Sequence, residues 1–276
     1  MISVVIPTYN RQHTLARALD SVYVQTFQPA EVVVVDDGSN DGSEQMVRQS
    51  YPQVNYIRQA NRGVSAARNR GIRISTQPWI ALLDSDDAWL PEKLAKQMQH
   101  VKDKVGVKLV HCDEIWIRDG VRVNPKLKHQ KQGGWIFPHC LPLCCISPSA
   151  AMIHRSVFDE VGVFDEHLPA CEDYDLWLRL CARYPVEYVA EPLLVKYGGH
   201  EDQLSRKYWG MDRFRIEALR KILDENVLCS DNMQLAVDML AKKISVYLAG
   251  ARKREKNDEI EYYLALQQKY IHQGQS

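Results

Sequence analysis

The sequence predicts an α/β fold, a largely parallel sheet flanked by helices, with a helical extension at its C-terminal end. Three observations carry that reading. Through residue 110, β-branched runs alternate with stretches of helical periodicity, the signature of repeated βα units. The four consecutive valines Val32–Val35 leave no polar face, as a strand covered on both sides requires. Several of the runs end in turn-forming or acidic residues, at the strand ends where parallel sheets bind ligands.

Taken in order, Ser3 to Ile6 is a β-branched run expected to stop at Pro7, which has no N–H for a ladder. Leu15, Ala18, Leu19 and Val22 recur at helical spacing, and Pro29 punctuates the chain after them. Val32–Val35 then runs into Asp36-Asp37-Gly38-Ser39, a turn composition. Asp41 with Glu44 reads as a capping box opening the helix that carries Met46 and Val47. Val54 to Ile57 is a strand, Val64 to Ile74 a helix, and Trp79 to Leu83 a strand leading into Asp84. Pro91 suits the first turn of a helix continuing through Leu94, Met98 and Val101. Val107 to Val110 is a further strand, and an Asp119-Gly120 turn closes a hairpin between Ile115 and Val123. Lys126, Lys128, His129 and Lys131, followed by Gly133-Gly134, read as a mobile basic loop. Val157 to Val161 and Tyr174 to Arg183 read as helices. From Tyr208 the chain is helical to His272, with an apolar stripe of Val237, Leu240, Ala241, Ile244 and Leu248. Gly250 and Arg252–Arg254 mark a turn between two helices.

Composition bounds the function. The 276 residues carry 35 Lys+Arg against 35 Asp+Glu, which argues against a nucleic-acid binder. Hydrophobic residues at 45% and charged residues at 25% are ordinary globular values. The N-terminus lacks the parts of a signal peptide, and no run approaches the ~18 apolar residues that span a bilayer. Seven scattered cysteines fit reduced thiols in a cytoplasmic protein.

Four clusters have chemical content. Asp84-Ser85-Asp86-Asp87 places three carboxylates in four residues after an apolar strand. Their repulsion is relieved by a hard divalent cation such as Mg²⁺ or Mn²⁺, or the segment is a solvated helix-capping turn. Asp36-Asp37 ends a neighbouring strand, where an Asp can accept from a base or ribose or serve its own backbone. Asn61 to Gly71 combines small residues at a helix start with Arg68, whose fork suits phosphate or ribose; the small residues also suit close packing on the sheet. Glu172-Asp173-Tyr174-Asp175 opens a helix, where a carboxylate can be a general base or a cap.

Ser3–Asn10, Asp36–Ser39, Gly63–Asn69, Asp84–Asp87 and Glu172–Trp177 occur in the order found in family 2 glycosyltransferases, and over residues 1 to about 205 the chain resembles that family. The resemblance implies a GT-A (Rossmann-like) fold with a mixed, mostly parallel sheet, and inverting, metal-dependent transfer of a sugar from a nucleotide-diphosphate donor. It implies that Pro7, Thr8 and Tyr9 line the nucleoside pocket, with Asp37 on the base and Arg68 on the nucleotide. Asp84-Ser85-Asp86 would be the DXD motif, Asp84 near the ribose and Asp86 on a Mn²⁺ or Mg²⁺ ion, with Asp87 able to share either role. Asp173 would be the catalytic base with Glu172 beside it, and His200 would complete the metal shell. A UDP-sugar donor and a glycan or lipid-linked glycan acceptor in surface polysaccharide synthesis follow from the same resemblance.

The expected organisation is a catalytic domain over 1–205 and a helical extension over 206–276, cytoplasmic, with peripheral contact at the inner membrane face left open by the Arg252–Arg254 cluster. His139-Cys140 with Cys144-Cys145 has a spacing that suits zinc, but no second half-site accompanies it, and free Cys also behaves as a small hydrophobe. The basic loop from Lys126 to Lys131 is a solvated loop or an acceptor-side flap that orders when donor binds. Two other classes compete with the transferase. A nucleotidyltransferase would carry a Gly-rich triphosphate loop near its N-terminus, which Pro7-Thr8-Tyr9-Asn10 is not. A nucleotide-binding scaffold need not keep both acidic clusters.

Overall fold

The structure, a computed structural model, describes residues 1–199, 208 and 210–271. The first half builds β1 (Ile2–Thr8), α1 (Gln12–Tyr23), β2 (Glu31–Asp36), α2 (Ser43–Ser50), β3 (Asn55–Arg58), α3 (Val64–Ile74), β4 (Trp79–Leu82), β5 (Ala88–Trp89) and α4 (Lys93–Asp103). There follow the β6 (Leu109–Arg118) and β7 (Val121–Val123) hairpin, α5 (Phe137–Cys140), β8 (Met152–His154), α6 (Ser156–Val161), α7 (Glu172–Cys181) and β9 (Glu187–Gly198). Three helices end the described chain: α8 (Asp212–Asp224), α9 (Ser230–Arg252) and α10 (Asn257–Ile271). None is long and apolar enough to cross a membrane.

The sheet runs β3-β2-β1-β4-β8-β6-β9-β5, with β7 on β6. Its first four strands are parallel, while β8 pairs antiparallel with both β4 and β6, making the sheet mixed. The valine run works by alternation. Val32 and Val34 join the face covered by Leu15 and Leu19 of α1 and Leu94 of α4, whereas Val33 and Val35 pack on Ala67 of α3. Gly71 is required by that second face, because a Cβ there would lie 2.3 Å from a methyl of Val5. Behind α7, the stripe residues Val237, Leu240, Ile244 and Leu248 of α9 share one buried cluster with Trp177 and Ile80. The C-terminal helices therefore extend the core of the sheet's own layer.

Gly250 lies inside α9 and Pro91 ahead of the α4 cap rather than where expected, and three further local expectations fail for physical reasons. β1 runs through Pro7 to Thr8. The Thr8 carbonyl accepts from Asp37 on the β2 side and the Val5 carbonyl accepts from Leu83 on the β4 side. By alternation Pro7 faces β4 beyond its last paired residue, Leu82, where no ladder partner needs its missing N–H. The Asp41–Glu44 capping box does not form. Helix α2 starts after a left-handed Gly42, Asp41 accepts from the backbone N–H groups of Ser43 and Gln12, and Glu44 pairs with Arg48. Lys131 is not part of a solvated basic loop, because its ammonium is buried 3.2 Å from Glu114 and donates to the Cys145 carbonyl.

Candidate active site

The carboxyl ends of β1, β2 and β4 lie side by side, so Pro7-Thr8-Tyr9, Asp36-Asp37 and Asp84–Asp87 share one rim. Pro7 and Thr8 are buried and Tyr9 is 48% exposed at the tip. The Thr8 hydroxyl is buried without a hydrogen-bond partner among the described residues, an uncommon state for such a group. Asn10, at positive φ, ties the rim to the next loop: its N–H donates to the Ser39 hydroxyl and its side-chain oxygen accepts from the Asn40 N–H. The two aspartates after β2 divide their work. Asp36 accepts from the Ser39 N–H and the Tyr56 hydroxyl. Asp37 Oδ1 accepts from Gln59 and the Arg62 N–H, while Oδ2 accepts from the Gly63 N–H at 2.7 Å. Among the described residues Oδ2 has that one donor, which leaves a lone pair over.

After β4 the carboxylates are unequal. Asp87 is buried. It accepts from the Ser149 hydroxyl at 2.6 Å and from the Tyr197 N–H, while the Asp84 N–H donates to the same hydroxyl. Burial, then the charge of Asp86, pushes its carboxyl well above the usual range. Asp86 is pushed up as well, by burial and then by the negative charge of Asp84. Ser85 is buried between them. Arg17 donates to the Asp86 carbonyl and lies 3.6 Å over the Tyr197 ring. Lys196 of β9 donates to the Ser147 hydroxyl, and its ammonium is held firmly protonated: burial opposes the charge, but Glu114, Asp87 and Asp84 outweigh it.

Arg68 joins this rim to α7. Its guanidinium is buried, with Nη2 2.6 Å from Asp84 Oδ1 and Nη1 2.7 Å from Glu172 Oε1. Both arms of the fork expected on a nucleotide are therefore engaged by protein carboxylates. The α7 N-terminus, which follows a left-handed Cys171, holds Glu172 and Asp173 where the helix dipole favours anions. Glu172 is buried, and its carboxyl is pushed up by burial and by Asp173 against the pull of Arg68. Asp173 is half-buried. Its Oδ1 accepts from the Tyr174 N–H at 2.7 Å, and its Oδ2 accepts from the Cys144 thiol at 3.1 Å. Asp175 turns the other way, onto Arg179 and Lys221 of α8.

The remaining expected ligand, His200, lies outside the described residues. Among those described, no group of three or more His, Cys, Asp or Glu is arranged to hold a metal by itself. His139 meets the Gln130 carbonyl, and Cys140 lies against Cys145. Sequence reasoning missed Ser149, Lys196, Arg17 and the approach of Cys144 to Asp173. None of these carries a local motif, since each reaches the site across the fold.

Residues 3–162 match the family described as glycosyl transferase family 2, and residues 139–230 match glycosyltransferase-like family 2. An uncharacterized glycosyltransferase of Rickettsia felis is 30% identical over 219 residues, covering 75% of this chain and 35% of that protein. Its counterpart in Rickettsia prowazekii is 29% identical over 209 residues, covering 74% of this chain and 65% of that one. The chain thus spans about a third of the length of the first such relatives. A solved structure of S. aureus TarS in complex with UDP-GlcNAc has a TM-score of 0.72 at 20% identity, over 88% of this chain and 72% of that one.

Proposed function

The chain belongs to glycosyltransferase family 2, and from that premise we propose that it transfers a sugar from a nucleotide-diphosphate donor to an acceptor hydroxyl by one inverting displacement. The observation that carries the proposal is the chain Asp84–Arg68–Glu172, which fixes the acidic end of β4 against the acidic start of α7. Two groups with different tasks are thereby held at one place: a rim for a nucleotide and a carboxylate, Asp173, for the acceptor proton.

The donor nucleoside sits at Pro7, Thr8 and Tyr9, beside the Asp37 carboxylate and the Thr8 hydroxyl, which has no partner among the described residues. A uridine nucleotide is favoured, in line with the TarS complex with UDP-GlcNAc. Asp84 and Ser85 take the ribose side. Arg68 acts from behind, holding Asp84 and Glu172 in place rather than gripping phosphate. Burial first, and then their neighbouring carboxylates, raise the carboxyls of Asp86 and Asp87, and a Mn²⁺ or Mg²⁺ ion would relieve the second of these causes. Asp86 is the protein ligand that fits, with diphosphate oxygens completing the shell and His200 a further candidate. When bound, such an ion neutralises the charge of the departing diphosphate. Asp173 takes the acceptor proton as the hydroxyl attacks the anomeric carbon from the face opposite the leaving group, which inverts that centre. The catalytic unit is residues 1–205, with 206–276 as its helical extension. The acceptor is a glycan or lipid-linked glycan in surface polysaccharide synthesis, met in the cytoplasm or at the inner membrane face.

A thermal-shift panel of UDP-, dTDP- and GDP-sugars with Mn²⁺, repeated with a chelator, tests the donor and metal assignments. Stabilisation by one nucleotide class, reduced by chelation and lost in Asp86→Ala, is expected. A panel in which no sugar nucleotide raises the melting temperature sinks the proposal.

A further inference from the structure

One contact at the site belongs to neither the nucleotide rim nor the metal. Cys144 lies in the segment between α5 and β8, and its thiol is 3.1 Å from Asp173 Oδ2 and 3.2 Å from the Ile146 carbonyl. A thiol has one proton, so those two acceptors compete for it. We propose that Cys144 is a positioning residue for the candidate base: its S–H donates to Asp173 Oδ2 and fixes the carboxylate for the acceptor. The proposal rests on the reading of Asp173 as the base.

The geometry favours Asp173 over the carbonyl. Charge-assisted hydrogen bonds are roughly twice as strong as neutral ones. Burial, followed by the Asp173 carboxylate, pushes the thiol well above its usual range, so it keeps the proton it would donate. With Oδ1 already held by the Tyr174 N–H, the bond to Oδ2 fixes the rotation of the carboxylate and leaves lone pairs of both oxygens free for an acceptor proton. The Cys144 segment is itself fastened at three points. The Tyr174 hydroxyl donates to the Leu141 carbonyl, Lys243 of α9 to the Pro142 carbonyl, and Lys131 to the Cys145 carbonyl. The thiol is thus presented by a segment anchored to the α7 that carries the base and to α9.

The test compares Cys144→Ala, which removes the donor, with Cys144→Ser, which keeps one. The first arm needs no substrate. The infrared S–H band of Cys144, isolated by subtracting the Cys144→Ser spectrum, is expected to move in Asp173→Ala. An unmoved band puts the proton on the Ile146 carbonyl and overturns the proposal. The second arm follows UDP release from UDP-N-acetylglucosamine with Mn²⁺. There kcat of Cys144→Ala is expected to fall about tenfold with donor KM unchanged, and Cys144→Ser to recover most of it. Equal losses in both variants, or a wild-type kcat in Cys144→Ala while Asp173→Asn is inactive, overturn the positioning role and leave the base assignment standing. A wild-type kcat in Asp173→Asn removes both.

Discussion

The two sides of the site are built differently. On the nucleotide rim, the groups that matter lie within a few residues of a strand end, and β1, β2 and β4 bring them together because the strands are parallel neighbours. On the α7 side, apart from the Tyr174 N–H on Asp173, the partners come from far along the chain. Glu172 is held by Arg68 from 104 residues away, Asp173 is met by Cys144 from 29 away, and the Cys144 segment is fastened to Lys243 from 101 away. The rim can be written as short motifs, whereas the proposed base has partners that only the finished fold supplies.

Arg68 is where the two sides meet, so removing it should break the comparison most severely. Arg68→Ala leaves Glu172 buried without its cation and Asp84 without its tether. Stripping one partner from a buried ion pair costs about 3–5 kcal/mol, so chemical denaturation should show a loss of that size together with weakened donor binding. A variant as stable as the wild type would mean the two carboxylates do not depend on this bridge.

Next in size is a change confined to the rim's support. Gly71→Ala places a methyl against Val5 in the packing of α3 on β1, and overpacking of this kind costs about 1–3 kcal/mol. A shift in denaturation midpoint with no loss of base-side contacts is expected. An unchanged midpoint would show that α3 can back away from the sheet.

The third prediction concerns acid. His111 of β6 is fully buried, with one ring nitrogen on the Gln132 carbonyl and the other without a partner among the described residues. Burial, then the Lys131 charge, pushes it down to about 3. The unfolded chain binds that proton near pH 6.5 and the folded chain does not. Its contribution to stability is therefore complete above about pH 6.5 and is lost as pH falls towards about 3. Urea midpoints of His111→Gln should fall less steeply than wild type across that window; parallel slopes would refute the assignment. The smallest effect belongs to the exposed Arg48–Glu44 pair on α2. Arg48→Ala should cost no more than about 0.5 kcal/mol, and a larger loss would show that the surface beside the rim is more tightly coupled to it than its exposure implies.

The same difference explains what the sequence disclosed. The βα alternation, the span of α3 and the acidic strand ends were legible because periodicity and composition act over a few residues. The direction of Lys131 was not, since a Lys in a Gly-flanked basic stretch carries no mark of the Glu114 that draws it inward. Nor were the protein partners of Arg68: a guanidinium beside small residues suits phosphate as well as carboxylate, and only the fold brings Glu172 and Asp84 to it. Pro7 misled for a related reason, because a missing N–H matters only where a neighbouring strand continues, and β4 ends first. Ser149 had no signal at all, although it ties Asp84 to Asp87.

The central claim is that donor binding and proton removal reside on these two separable sides. Asp173→Asn tests it in one protein, with sugar-nucleotide affinity measured by calorimetry in the presence of Mn²⁺ and transfer measured by nucleotide release. The account predicts affinity close to wild type and a loss of transfer of about 10²–10⁴-fold. Transfer at the wild-type rate, or affinity lost together with transfer, would contradict it.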